Sequence, residues 1–365
     1  MAADEQAPDN PTFDDVVRVP RQALAYDDNV VPLAQGPRGA LLEDVARLAG
    51  VAPITVSRAI RQPEKVGAER LARIRQAIAQ TGYQTNSLAS ALKSGRSNIV
   101  LAFLSNIGSQ QFALAMRGSA QVLEPAGYQF LIGQTSYSYR KETEIIKSLH
   151  SLRPAAVMFT GVIELEDNRE RLRALGIPIV ETWAYPRDPL DLLVGFSNTD
   201  AGWMAAEHLQ ARGYRRLAFL GRRGGRGALR LRGFRMACAA LRLTLVCEVF
   251  CDEVESIADG GKLLTELLAR TRDVDAAFCA NDLLAIGALM EARRHKLAVP
   301  TDLAIIGFGE NDMAAEMRPG LTTIGVDTLE LGRRAGHLLL TRLSGAPVET
   351  ARQHMALTLT RRGST

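Results

Sequence analysis

The sequence predicts an α/β protein in which a three-helix helix-turn-helix head precedes a core of two doubly wound parallel-sheet subdomains. The chain has 365 residues, which is enough for two or three domains. Apolar residues recur with a helical period between residues 41 and 83. From residue 98 onwards, apolar strand-like runs alternate with amphipathic helical segments, a pattern typical of parallel sheets covered on both faces.

Charge is distributed unevenly along the chain. Residues 1–40 hold seven acidic and three basic residues with five prolines, so we expect a disordered acidic tail. Residues 41–98 hold nine basic and four acidic residues, although the whole chain has a net charge of only +4. This local excess of positive charge favours a polyanionic partner, and a solvated basic face is the alternative.

The three short helices of the head contain the spacing of a helix-turn-helix. Ala46 is small enough for two helices to approach, Gly50 permits a turn at positive φ, and Val56 fills the angle between the helices. Pro53 suits the first turn of the second helix, and Gly82 suits a left-handed cap after the third. The second helix of such a unit enters the major groove of DNA.

Candidate DNA-contacting side chains lie on this second helix. Arg58 can form a bidentate contact with guanine, and Arg61 and Lys65 can hold the phosphate backbone without reading sequence. A three-helix module that binds another protein is the alternative. The candidates on this helix are Pro53, Ile54, Thr55, Ser57, Arg58 and Arg61.

Residues 84–97 are small and polar, which favours a linker that folds only on binding. Beyond it we predict eight helices and ten strands, which fit two doubly wound halves better than one. Ligands of such folds bind beyond the carboxyl ends of the strands. The strands are predicted at residues 99–104, 129–133, 155–160, 177–182, 192–196, 216–220, 245–250, 276–279, 303–308 and 322–326.

Several other classes of protein are disfavoured. The chain has no run of 18 apolar residues and no secretory signal, so we expect a cytoplasmic protein rather than a membrane protein or an exported sugar-binding receptor. The four cysteines form no C-x-x-C pair and are expected to be reduced, and no metal or cofactor is expected. The run GRRGGRG at residues 221–227 lacks the spacing of either nucleotide-binding motif, which argues against an enzyme.

The sequence resembles the LacI/GalR family of transcriptional regulators over residues 41–365. In the head, the resemblance lies in DVARLAGV (44–51), TVSR (55–58) and GYQTN (82–86). In the core, it lies in RGYRRLAFLG (212–221), RLRGF (230–234), FCANDLLAIG (278–287), VPTDLAIIGF (299–308) and PGLTTI (319–324). Several such blocks in the same order are more specific than a single helix-turn-helix match.

This resemblance implies a division of the chain into parts. A DNA-binding head at 41–86 and a hinge helix at 87–97 would precede a periplasmic-binding-protein-like core. One half of the core would comprise 98–197 with 327–344, and the other 198–326 with 345–365. A homodimer on double-stranded operator DNA is implied, with Leu92 matching the leucine that wedges into the minor groove and Ala89 the small residue at the hinge contact. We also predict that Asn86 contacts DNA.

The chain departs from the family pattern in the head and in the core. Ala52 stands where the family often has a hydroxyl, and Pro53 and Ile54 offer no polar side chain to the bases. Specificity would then rest more on Arg58, on contact with thymine methyl groups and on DNA shape. In the core, many members have an aspartate after a Gly-Phe or Gly-Tyr step, where this chain has Gly309, followed by Glu310 and Asn311, which places a hydroxyl-binding acid there in doubt.

The resemblance also implies an effector site in the cleft between the core halves. Arg230 matches the family's ligand-binding arginine, and further arginines at 222, 223 and 226 favour an anionic ligand. The stretches ETW (181–183) and LLVGFSN (192–198) resemble the gluconate-repressor branch, which implies a repressor of carbohydrate metabolism genes that responds to gluconate or a ketogluconate. A phosphorylated sugar is the alternative. The candidate effector-binding residues are Phe112, Thr160, Trp183, Asn198, Arg230 and Asp282.

Overall fold

The computed structural model describes residues 40–83 and 97–365, which belong to two separate units, the head and the core. The predicted acidic tail (1–40) and the predicted hinge helix (87–97) lie outside the described residues, apart from residues 40 and 97. The same is true of Asn86, Ala89 and Leu92. No helix in the described ranges is long and apolar enough to cross a membrane.

The head contains the three predicted helices. They are α1 (Leu42–Ala49), α2 (Pro53–Arg61) and α3 (Ala68–Thr81), with a 3-10 turn at Pro63–Lys65. Gly50 ends α1 in the left-handed region at φ 62°, which glycine adopts without strain. Ala46 and Val56 are buried in the small apolar core of the head, as the helix-turn-helix spacing predicts for the residues that pack between its helices.

The first core sheet has six parallel strands in the order β11-β5-β4-β3-β1-β2. Four of its strands are almost wholly buried, as expected of a sheet covered by helices on both faces. The strands are β1 (Ile99–Leu104), β2 (Gln129–Gln134), β3 (Ala156–Phe159), β4 (Ile179–Thr182), β5 (Leu192–Gly195) and β11 (Arg352–His354).

The second core sheet repeats this arrangement in the order β12-β10-β9-β8-β6-β7. All of its strands are parallel except β12, which runs antiparallel to β10. The strands are β6 (Arg216–Arg222), β7 (Thr244–Cys251), β8 (Ala276–Cys279), β9 (Ala304–Phe308), β10 (Thr322–Gly325) and β12 (Thr358–Thr360).

Nine helices of the described core cover the two sheets. In chain order they are α4 (Gln110–Leu123), α5 (Tyr139–Leu152), α6 (Glu166–Ala174), α7 (Asn198–Ala211), α8 (Gly225–Ala240), α9 (Ile257–Arg270), α10 (Asp282–Arg294), α11 (Asp312–Glu316) and α12 (Thr328–Leu343). Helix α12 follows β10 of the second sheet but packs on α4 and on β5 of the first sheet. The chain therefore crosses between the two halves after β5, after β10 and between β11 and β12.

Three short elements were not predicted from the sequence. Strands β11 and β12 have three residues each, and α11 has five, which is too short to produce a periodic apolar pattern. Strand β11 also corrects a boundary, because residues 345–365 were assigned as a whole to the second half. Residues 352–354 instead pair with 193–195 of the first sheet, and only β12 joins the second.

Helices α7 and α8 approach closely next to the cleft between the sheets. A Cβ atom placed on Gly202 of α7 would overlap the carbonyl oxygen of Arg230 on α8, and one on Gly233 of α8 would overlap that of Thr199. Because these two positions carry no side chains, the backbones of α7 and α8 can touch. This close packing fixes the position of the Arg230 backbone.

Candidate functional site

Helix α2 presents an exposed face in the head. Val56 and Ala59 are buried and fasten one side of the helix to α1 and α3. On the other side Ile54 is 56% exposed, and Pro53 and Arg58 are also exposed. Thr55 and Ser57 are half-buried, and the side chain of Arg61 lies outside the described part of the structure.

The start of α2 differs from a typical capped helix. Ala52 occupies the N-cap position, where its carbonyl accepts a hydrogen bond from the Thr55 amide at 2.8 Å, but its methyl group cannot cap the helix. The missing hydroxyl inferred from the sequence is therefore a missing cap. The exposed chemistry at this end of α2 is an apolar Pro53–Ile54 pair followed, one turn later, by a cation.

A cavity of about 420 Å³ lies in the cleft between the two core sheets, beyond the carboxyl ends of their strands. Its wall includes loops and helix starts from both halves, as the sequence predicts for a doubly wound fold. Five of the six candidate effector residues line it, and Asn198 does not. The five are Phe112, Thr160, Trp183, Arg230 and Asp282.

One wall of the cavity is aromatic. The rings of Phe112 and Trp183 meet edge to face at 4.8 Å between centroids and 81° between planes. Asn198 supports this wall from behind, because its Nδ2 donates to the carbonyl of Trp183 at 2.9 Å. Trp183 has φ 61°, so a bulky residue is held in an unfavourable backbone region by its surroundings.

Arg230 reaches the cavity from α8 with its charge almost wholly desolvated. Its Nη1 donates to the carbonyl of Ala280 at 2.6 Å, and its guanidinium carbon lies 3.6 Å from the ring centroid of Phe308. Burial, together with the nearby charge of Arg226, lowers the pKa of Arg230 to about 9, so it remains a cation at neutral pH. It forms no ion pair within the described residues, and its Nε has no hydrogen-bond partner there.

Both carboxylate oxygens of Asp282 accept hydrogen bonds within the protein. Oδ1 accepts a hydrogen bond from Thr323 Oγ1 at 2.6 Å, and Oδ2 accepts one from the Asn311 amide at 2.8 Å. Burial raises the pKa of Asp282 to about 6, while these two bonds oppose the shift. Glu310, which follows Gly309, forms an ion pair with Arg362 and does not line the cavity. The doubt raised by the sequence at this position is thus consistent with the geometry.

Arg226 and Gln110 each form hydrogen bonds across the cleft. Arg226 of α8 donates to the Thr160 carbonyl at 2.6 Å and to Ser105 Oγ at 3.4 Å, so it spans from the second half to the first. The Gln110 side chain of α4 donates to the carboxylate of Asp312 and accepts a hydrogen bond from its amide at 3.1 Å. The run of arginines pointed to Arg226, whereas nothing in the sequence identified Gln110 or Ser105.

Acidic side chains that the sequence reasoning missed lie on the first-half wall. Glu142 and Glu164 line the cavity, and the Tyr139 hydroxyl donates to Glu164. Glu181, which ends a strand nearby, is instead fully buried and accepts hydrogen bonds from the amides of Ile163 and Leu190 at 2.7 and 2.8 Å. No group of three or more potential metal-ligating side chains occurs in residues 40–83 or 97–365.

Comparison with known families gives two matches that together cover the head and much of the core. Residues 41–86 match the model of bacterial regulatory proteins of the lacI family. Residues 206–365 match the model of a periplasmic binding protein-like domain.

Individual relatives match over most of the chain. The HTH-type transcriptional regulator GntR of Pseudomonas aeruginosa is 36% identical, over 89% of this chain and 95% of the relative. The regulator of the same name from Escherichia coli is 30% identical, over 89% of this chain and 98% of the relative. A crystal structure of a LacI-family transcriptional regulator from Silicibacter pomeroyi is 29% identical, with a TM-score of 0.82, over 89% of this chain and 99% of that one.

Proposed function

Because the chain belongs to the LacI family of bacterial DNA-binding transcriptional regulators, we propose that it is a repressor of carbohydrate metabolism genes whose operator affinity is controlled by a sugar acid. Membership of this family excludes the enzyme interpretation, since the matched relatives are transcriptional regulators. The match of the head to the lacI family also argues against a receptor that only binds sugar.

The proposed operator contacts lie on the exposed face of α2. Arg58 would read guanine through a bidentate contact, and Ile54 would contact thymine methyl groups. Thr55, Ser57 and Arg61 would add phosphate or base contacts, as proposed from the sequence. A homodimer would place two such helices on a two-fold operator, because half-site symmetry mirrors protein symmetry.

The observation that carries the effector proposal is the buried Arg230 cation in the cleft cavity. Among the described residues it has carbonyl and ring contacts but no ion pair, and the Asp282 carboxylate acts on its positive charge only at longer range. A ligand carboxylate would supply a negative charge and two oxygens that accept hydrogen bonds from the guanidinium group. The adjoining Phe112–Trp183 wall would pack against the carbon chain of the ligand, and 420 Å³ suits a six-carbon acid such as gluconate or 2-ketogluconate.

Control of DNA binding would follow from the position of the cavity. A ligand held by residues of both halves changes the free energy of the closed cleft relative to the open one, and the angle between the halves would be transmitted to the paired heads. Thr160 belongs to the first half and Arg230 and Asp282 to the second, so one ligand would contact both.

The test is binding of the purified protein to DNA upstream of its own and neighbouring genes, followed by fluorescence anisotropy. Each DNA is titrated alone and with gluconate, 2-ketogluconate, their phosphates or neutral sugars. A change in affinity caused by an unphosphorylated acid supports the proposal. A response only to a phosphate would identify the alternative effector class, and absence of specific DNA binding by folded dimer would refute the proposed function.

A further inference from the structure

The described cationic side chains that line the cleft cavity all belong to the second half of the core. They are Arg222, Arg226 and Arg230, and none of them forms an ion pair in the part of the chain that the structure describes, although the acids Glu255 and Asp282 line the same wall. The first-half wall carries the acids Glu142 and Glu164 and otherwise only neutral side chains among the described residues. A ligand carboxylate therefore finds its cationic partners on the second half, and the first half offers hydrogen-bond acceptors.

Arg226 differs from Arg230 in where its guanidinium lies. It extends across the cleft, 5.4 Å above the Phe112 ring, to the carbonyl of Thr160. Its partners are a carbonyl and a hydroxyl, which are neutral acceptors and weaker than a carboxylate. Burial lowers the pKa of Arg226, and Arg230 beside it is likewise penalised by their mutual repulsion. One anion lying between the two guanidinium groups would relieve both costs.

The acidic wall has the chemistry of a hydroxyl-binding surface. Glu142 is half-buried, and one of its oxygens accepts from Asn168 Nδ2 at 2.9 Å. Glu164 accepts from the Tyr139 hydroxyl. A carboxylate has about four lone-pair positions, so each retains acceptor capacity that an alcohol O–H can use. A second anionic group would be repelled at this end.

Resting on the proposed function, we propose that the effector binds in one orientation, with its carboxylate between Arg226 and Arg230 and its terminal hydroxyls toward Glu142 and Glu164. Arg226 then adds to Arg230 in selecting an ionised acid over a neutral sugar derivative. The orientation also disfavours acids phosphorylated at the far end, because their phosphate would face two carboxylates.

The test compares two ligands that differ only in charge at one carbon, gluconate and its neutral amide gluconamide, by calorimetry on the full chain. The wild type should bind gluconate at least ~30-fold more tightly, since charge-assisted hydrogen bonds are about twice as strong as neutral ones. In Arg226→Gln this preference should fall by about 3- to 10-fold without disappearing, because glutamine bonds a carboxylate and an amide alike while Arg230 still contacts the carboxylate.

Two further variants separate selection from general damage. Arg223 lies three residues before Arg226, just ahead of α8, is exposed and does not line the cavity, so Arg223→Gln should keep the wild-type preference. Glu142→Gln should weaken both ligands by the same factor, because both carry the same hydroxyls. Thermal melting of each variant confirms that it is folded.

The outcomes are distinguishable. If the wild type binds gluconate but Arg226→Gln retains the full wild-type preference over gluconamide, the orientation is wrong while the proposed function stands. An equal loss for both ligands in Arg226→Gln also overturns the selective role. If the wild type binds neither gluconate nor any other acid, the sugar-acid effector itself fails, and the orientation fails with it.

Discussion

The Nη1 atom of Arg226 lies 2.6 Å from the carbonyl oxygen of Thr160, and this hydrogen bond ties α8 of the second half to the end of β3 in the first. The same cleft holds the cavity in which Arg230 lacks a counter-ion among the described residues. In the proposed function, ligand recognition and the angle between the halves would therefore involve the same few side chains. Changes at these positions should affect effector binding and its transmission together.

Replacing Arg230 should weaken the response to the effector without preventing DNA binding. In Arg230→Met the buried charge is removed while the apolar contact with the Phe308 ring is retained, so the fold should survive. Losing a charge-assisted pair predicts about 10- to 100-fold weaker effector binding by calorimetry. Operator affinity without effector should remain within a few-fold of the wild type. Unchanged effector affinity would show that the cavity is not the site.

Removing the Arg58 side chain should weaken operator binding in a sequence-dependent way. A bidentate contact with guanine contributes about 1–3 kcal/mol of discrimination, so Arg58→Ala should bind about 5- to 150-fold more weakly to the operator than wild type. Binding to a scrambled duplex should change much less. Arg75, exposed on α3, gives a matched control, since its replacement removes the same charge away from α2. Equal losses for both variants would make Arg58 a non-specific contact.

A side chain at Gly202 should force α7 and α8 apart. The added methyl of Gly202→Ala would overlap the backbone oxygen of Arg230, which predicts a loss of about 1–3 kcal/mol in the free energy of unfolding. Gly224→Ala is the control, because its Cβ would meet nothing within 4 Å and its φ is −114°. Urea unfolding measures both variants. Equal stability of the two would show that the helices have room to separate.

The side chain of His208 should make the core less stable at acidic pH. It is buried with Nε2 2.8 Å from Thr365 Oγ1, and burial lowers its pKa from 6.5 to about 4. As the pH falls below 6.5, the unfolded chain gains a proton that the folded one does not. Stability therefore decreases until about pH 4, by roughly 3 kcal/mol in total. His208→Gln should flatten this part of the pH profile, and two parallel profiles would contradict the assignment.

The sequence predicted most of the fold because its long elements have clear periods. Buried parallel strands such as Ala276–Cys279 are continuous apolar runs, and Gly50 identifies the end of α1. Strand β11, with the sequence RQH, forms because β5 lies beside it, and no local pattern reveals that pairing.

The candidate site was predicted less completely than the fold. Arginines in one loop were visible as a cluster along the chain. The Gln110–Asp312 contact joins residues that are 202 positions apart, so only the folded chain brings them together. Asn198 was expected at the cavity because it follows a strand, yet it holds the Trp183 carbonyl behind the wall.

The most direct test of effector-controlled DNA binding is the affinity for effector with and without bound operator. Coupling between two sites is reciprocal, so the factor by which gluconate changes operator affinity must equal the factor by which operator changes gluconate affinity. Calorimetry of free and operator-saturated protein should give dissociation constants for gluconate that differ by about 5- to 150-fold. Equal constants in the two states would contradict the account, because the cavity would then be uncoupled from the DNA-binding head.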